Sequence, residues 1–175
     1  MSDSSPTIDC FAFARAGRRI EGGVAVAQLP RLAEFVATSE GALRYGIEGL
    51  IDDDGHPAAD LHLDGQLNLI CQRCNAPLQF GIDRTTRFRF VATEEELNSL
   101  PIEDDESDAV VGARNMIIHD WVEDEVILSL PLVPRHDECA APLASDDTEN
   151  PVLASNPFAV LLALRADDDA NKRLN

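Results

Sequence analysis

The sequence predicts an α+β fold: an antiparallel β-sheet with a central hairpin carrying Cys-x-x-Cys at its tip, packed with about three short helices. Two stretches of strict alternation predict the sheet. From Asp60 to Leu69, Leu61, Leu63, Leu67 and Leu69 alternate with His62, Asp64, Gln66 and Asn68. From Leu78 to Phe90, the even positions Leu78, Phe80, Ile82, Phe88 and Phe90 are apolar, while Thr85, Arg87 and Arg89 fall on the other face. The third observation is a set of helix-start signals outside these stretches.

Taken in chain order, the first expected helix opens at Pro30 and runs through Ala37, with Leu32, Phe35 and Val36 inward. Tyr45 to Ile51 reads as a strand closed by Asp52-Asp-Asp-Gly55. The two alternating strands follow, and the short link Cys71-Gln-Arg-Cys74-Asn-Ala-Pro77 makes them a hairpin. Asn115 to His119 is a further strand candidate. Asp120 is the expected N-cap of a helix over Trp121–Leu130, with Trp121, Val122, Val126 and Leu130 as its apolar stripe. Glu123, Asp124 and Glu125 lie in its first turns, where the dipole and solvation favour anions. Pro131 and Pro134 end it. Asn156, followed by Pro157, caps a third expected helix. A single domain over 1–165 is expected, with a tail at 166–175.

The chain has 175 residues and a formal net charge of −18. Aromatic residues are only 5%, so the core must be built from Leu, Val, Ile and Ala. The charge is uneven. Residues 1–92 hold 12 acids against 9 arginines, whereas residues 93–175 hold 20 acids against 5 bases. The run from Glu94 to Asp108 is the densest, and a solvated, flexible acidic loop is expected at about 94–110.

Several chemistries are excluded. Lys172 is the sole lysine, so there is no phosphate-binding Gly-Lys-Ser/Thr loop and no placed Schiff-base lysine. No dinucleotide fingerprint, nucleophile elbow or His-Glu-x-x-His is present. The sequence reads as a non-enzyme with no evident small-molecule substrate. The longest apolar run, Phe158–Leu164, is too short to span a bilayer, and the first residues carry no leader-like pattern. A cytoplasmic location is expected.

Cys71 and Cys74, two residues apart on a turn, can face one tetrahedral ion. That is half a site. His136-Asp-Glu-Cys139 repeats the gap and completes a Cys3His set, a structural zinc shell. The competing reading is reduced thiols in a turn, with His136 and Cys139 in an unrelated loop. A thioredoxin-like pair is more remote, since no βαβ context precedes the motif. Cys10 has no partner in sequence. Arg73, Arg84, Arg87 and Arg89 form a second constellation, a guanidinium patch able to hold phosphates. Arg15, Arg18 and Arg19 form another. Pairing of these cations with the many acids is the alternative.

Four segments carry a resemblance: CQRC at 71–74, VEDEVILSLPLVPRHDEC at 122–139, NPFAVLLALR at 156–165 and FARAGRRIEGGVAVAQLPRLAEF at 13–35. Their order and spacing resemble the YceD family, the large ribosomal RNA subunit accumulation proteins. The resemblance implies a cytoplasmic bacterial ribosome-biogenesis factor whose partner is large-subunit ribosomal RNA or a pre-ribosomal particle. It also implies that Cys71, Arg73 and Cys74 are the family's CxRC signature. The acidic half admits another partner class, basic ribosomal proteins.

Overall fold

A computed structural model describes residues 6–100 and 107–139. Its centre is the expected hairpin, longer than the alternation alone marks. Strands β4 (Pro57–Ile70) and β5 (Pro77–Val91) pair antiparallel from Ala58–Arg89 down to Ile70–Pro77. Strand β3 (Ala42–Ile51) lies antiparallel to β4, and β2 (Arg19–Ala25) antiparallel to β3. On the other side, β6 (Asp108–Val111) pairs parallel to β5, so the five-stranded sheet is mixed at one edge. A two-stranded ladder joins β1 (Thr7–Ile8) to β7 (Met116–Ile117). The strand expected over Asn115–His119 is only this two-residue piece.

The core sits on one sheet face, where the alternation places Leu43, Ile47, Leu61, Leu63, Leu67, Leu69, Phe88 and Phe90. Helix α1 (Cys10–Arg15) covers it with Phe13 and Ala14, and α3 (Ile118–Ser129) with Ile118, Trp121, Val122 and Val126. Trp121 meets Phe88 and Phe90 edge-on, with ring centroids 5.1 and 5.9 Å apart. Gly49 lets α1 approach, because a Cβ there would lie 2.6 Å from the Phe13 carbonyl oxygen.

Several expectations are corrected. The helix expected over Pro30–Ala37 is a single 3₁₀ turn, Leu32–Glu34. Val36 is drawn off to bridge Leu69 at the sheet, which prevents continuation. Asp120 is not the cap of α3. The helix starts earlier because Ile118 is buried and donates its N–H to the Pro6 carbonyl at 2.9 Å. The acidic run expected as a flexible loop at about 94–110 begins as a helix, and residues 101–106 lie outside the described residues. Residues Glu94–Ser99 form helix α2, capped by Thr93, which accepts from Glu96 N–H, while the Glu96 carboxylate accepts from Ala92 N–H. This segment begins the crossover that a parallel β5–β6 pair requires.

Glu123 and Glu125 are not solvated. Both side chains are about 3% exposed. The Glu123 carboxylate accepts from Arg31 N–H (2.6 Å), Leu32 N–H (3.0 Å) and Arg31 Nε (2.8 Å), tying the 3₁₀ turn to α3. Glu125 accepts from the Thr86 hydroxyl and pairs with Arg84. The third expected helix, at Asn156, and the tail at 166–175 lie outside the described residues. Among the described residues, no helix is long and apolar enough to cross a membrane.

Candidate functional site

The link between β4 and β5 is a tight turn. Cys71 N–H donates to the Ala76 carbonyl (2.9 Å) and Asn75 N–H to the Cys71 carbonyl (2.9 Å). Asn75 adopts φ +58°, a left-handed conformation that asparagine tolerates better than most residues. After α3, residues 131–139 return as a strap across this turn. Gln72 N–H donates to the Pro134 carbonyl at 2.8 Å, and Arg73 Nη1 to the Cys139 carbonyl at 3.0 Å.

The strap brings its two donor residues onto the turn's thiols. The donor atoms of Cys71, Cys74, His136 and Cys139 all lie within 4.8 Å of one another. Cys71 Sγ is 3.7 Å from Cys139 Sγ, and Cys74 Sγ is 3.4 Å from His136 Nδ1. A tetrahedral ion with bonds of about 2.3 Å to sulfur and about 2.0 Å to nitrogen sets edges of roughly 3.8 and 3.5 Å. The observed separations fit those edges, and 3.7 Å is far beyond a disulfide bond of about 2.05 Å. His136 Nε2 lies 3.0 Å from the Pro77 carbonyl. A carbonyl only accepts, so Nε2 carries the proton and Nδ1 turns its lone pair toward the cluster.

The electrostatics suit a metal. Burial pushes the Cys71 thiol up, but backbone N–H donors of His136, Cys74 and Arg73 outweigh it and bring the thiol down to about 5. The Cys139 thiol is raised by burial, then by hydrogen bonding and charge from the Cys71 and Cys74 sulfurs. Replacing the shared protons with a divalent ion relieves that repulsion. Cys10 stands apart, buried beside Met116 with Sγ 3.5 Å from its sulfur.

The arginines do not converge. Arg84 projects to the α3 side of the sheet, where it meets Thr86 and Glu125. Arg87 and Arg89 project from the opposite face. Arg87 Nε lies 2.7 Å from Asp60, and Arg89 lies 2.9 Å from Asp52 and 3.1 Å from Asp54. Arg19 pairs with Glu21 and Glu48, the Arg15 guanidinium lies 5.9 Å from the Phe11 ring centroid, and Arg18 is exposed. A guanidinium already closed on a carboxylate loses much of its attraction for phosphate. Arg84, Arg87 and Arg89 therefore present no common patch, since they project from opposite faces and each meets a carboxylate. Arg73 differs, because it sits within the Cys71–Ala76 turn. Sequence reasoning passed over Arg135, which precedes His136 in the strap and shares a cleft with Arg73.

Comparison with known proteins places this architecture. The family model described as Large ribosomal RNA subunit accumulation protein YceD matches residues 59–165. The chain belongs to the YceD family. A YceD relative from Haemophilus influenzae (strain ATCC 51907 / DSM 11121 / KW20 / Rd), named Large ribosomal RNA subunit accumulation protein YceD, is 31% identical over 163 residues. That alignment covers 86% of this chain and 90% of the relative. No solved structure shows a significant match to this YceD chain. The family match takes in nearly all of the β4–β5 hairpin, from residue 59 on, with the Cys-x-x-Cys turn, α3 and the strap.

Proposed function

We propose that this chain is a cytoplasmic, non-catalytic ribosome-biogenesis factor that supports accumulation of large-subunit ribosomal RNA. The observation that carries the reading is likeness over nearly the whole length to a relative named for that role. In this reading Cys71, Cys74, His136 and Cys139 hold a structural zinc ion. Four protein donors fill a tetrahedral shell, so the ion supplies cross-linking and no open position for substrate. The chain's own contribution is to present the hairpin tip rigidly. The Cys71–Ala76 turn fixes two donors, the Pro77 carbonyl orients His136, and the Arg73–Cys139 bond seats the strap's end.

Depletion of the protein in its own cells tests the role. The ratio of large- to small-subunit ribosomal RNA should fall, and an unchanged ratio at full depletion would refute the reading. A second reading, an acidic module that holds basic ribosomal proteins, draws on the 20 acids against 5 bases in residues 93–175. It expects basic proteins to co-purify after nuclease treatment and to be lost on deletion of residues 94–108.

A further inference from the structure

We infer that the cleft between the Cys71–Ala76 turn and the 131–137 strap seats a single-stranded RNA segment, with Arg73 and Arg135 on its phosphates and Phe80 against a base. The inference rests on the ribosomal RNA reading and names the contact surface. The cleft has a volume of about 480 Å³ and is lined by Arg73, Leu78, Gln79, Phe80, Arg135 and Asp137, among others.

Carboxylate pairing and position together point to these guanidiniums. Arg19, Arg31, Arg44, Arg84, Arg87 and Arg89 are each paired with carboxylates. Arg15, Arg18 and Arg114 also lack a carboxylate partner among the described residues, but it is Arg73 and Arg135, likewise unpaired, that stand together. They line one cleft, and Asp137 is the carboxylate that shares it. Arg73 is held by its bond to the Cys139 carbonyl, which leaves its other donors for a ligand. Phe80 and Leu78 are half-buried and supply an apolar wall, and Gln79 offers an amide. Guanidinium groups beside an aromatic ring suit unpaired nucleotides, whose bases stack while their phosphates take charge.

Position takes the acids of α2 out of the objection from net charge. The cleft lies at the Pro77 end of β5, whereas α2, with its three leading glutamates, follows the Val91 end. At about 3.3 Å per residue the strand separates them by roughly 45 Å, several times the Debye length of ~8 Å at physiological salt. The acids of α2 are screened from a ligand in the cleft.

The test measures fluorescence anisotropy of labelled decauridylate and decaadenylate with the full chain at low and moderate salt. Arg135 is exposed, so Arg135→Glu should leave zinc content and melting unchanged. It should weaken binding at least tenfold and lower the salt slope by about 0.7 for a lost phosphate contact. Arg73→Gln should weaken binding too, and Phe80→Leu, which keeps the burial, about fivefold or more. Arg87→Glu should bind as the parent does. Unchanged affinity in Arg135→Glu and Arg73→Gln would overturn the inference. So would failure of the parent to bind either oligonucleotide, including the case where a basic protein occupies the cleft instead. If depletion lowers large-subunit ribosomal RNA but the cleft variants restore it fully, the cleft assignment fails and the ribosomal role stands. If depletion leaves that RNA unchanged, the ribosomal role itself fails.

Discussion

On the proposed zinc reading, removal of the metal from the Cys3His cluster should free the strap while leaving the sheet folded. Apart from the contacts among the four donor atoms, three described hydrogen bonds tie the strap to the hairpin: Gln72 to Pro134, Arg73 to Cys139 and His136 to Pro77. At about 0.5–1.5 kcal/mol each, they contribute roughly 3 kcal/mol together. A structural zinc ion contributes an apparent ~10–16 kcal/mol at neutral pH. On that reading the ion would dominate the strap's attachment. The core does not depend on it, because the buried cluster on the sheet is made of strand and helix residues, with none of the four donors in it. Limited trypsin digestion reads this directly, since Arg135 is exposed in the strap. Protein with its zinc should resist cleavage after Arg135. Chelator-treated protein should be cut there at least tenfold faster, with its far-ultraviolet circular dichroism retained. Cys139→Ser should behave like the chelated parent. Purification with no bound zinc, together with cleavage indifferent to chelator, would refute the reasoning.

Glu123→Ala should strand the Arg31 and Leu32 amides without an acceptor and destabilise the fold by about 3 kcal/mol, read as a lower urea midpoint; a loss under 1 kcal/mol would show the 3₁₀ turn finds other acceptors. Gly49→Ala should cost at least about 2 kcal/mol on the same assay, because the new methyl meets the α1 backbone and not a flexible side chain. Acid stability should report Asp52. Burial pushes its carboxyl up, but the His56 and Asp54 N–H groups and the Arg89 guanidinium outweigh it and hold it below the usual range. A folded-state value below the unfolded one gives stability that is present above about pH 4 and lost as pH falls through the folded value. Asp52→Asn should therefore be less stable than the parent at pH 7, and the difference should shrink on acidification. An equal difference at both pH values would contradict it.

Much of the hairpin was legible because alternation at Leu61–Leu69 and Leu78–Phe90 states both the strands and the buried face. The grouping of Cys71, Cys74, His136 and Cys139 was legible from the repeated two-residue gap, although spacing alone cannot show that the strap folds back over the turn. Other features depended on contacts distant in sequence. Glu123 looked solvated because its partners, Arg31 and Leu32, lie about ninety residues away. The arginine strand looked available for phosphate because its acids, Asp52, Asp60 and Glu125, come from neighbouring elements. Two local signals were readable and missed. Thr93 caps α2 by accepting from Glu96 N–H, and Asp9 caps α1 by accepting from Ala12 N–H at 2.9 Å.

The most direct measurement supplies this chain to a bacterium lacking its own family member and follows the ratio of large- to small-subunit ribosomal RNA. The account predicts that the ratio returns to the parental value, and that a chain with both Cys71 and Cys74 changed to Ser restores it less well. A folded, zinc-loaded chain that accumulates normally and leaves the ratio at its depleted value would contradict the account.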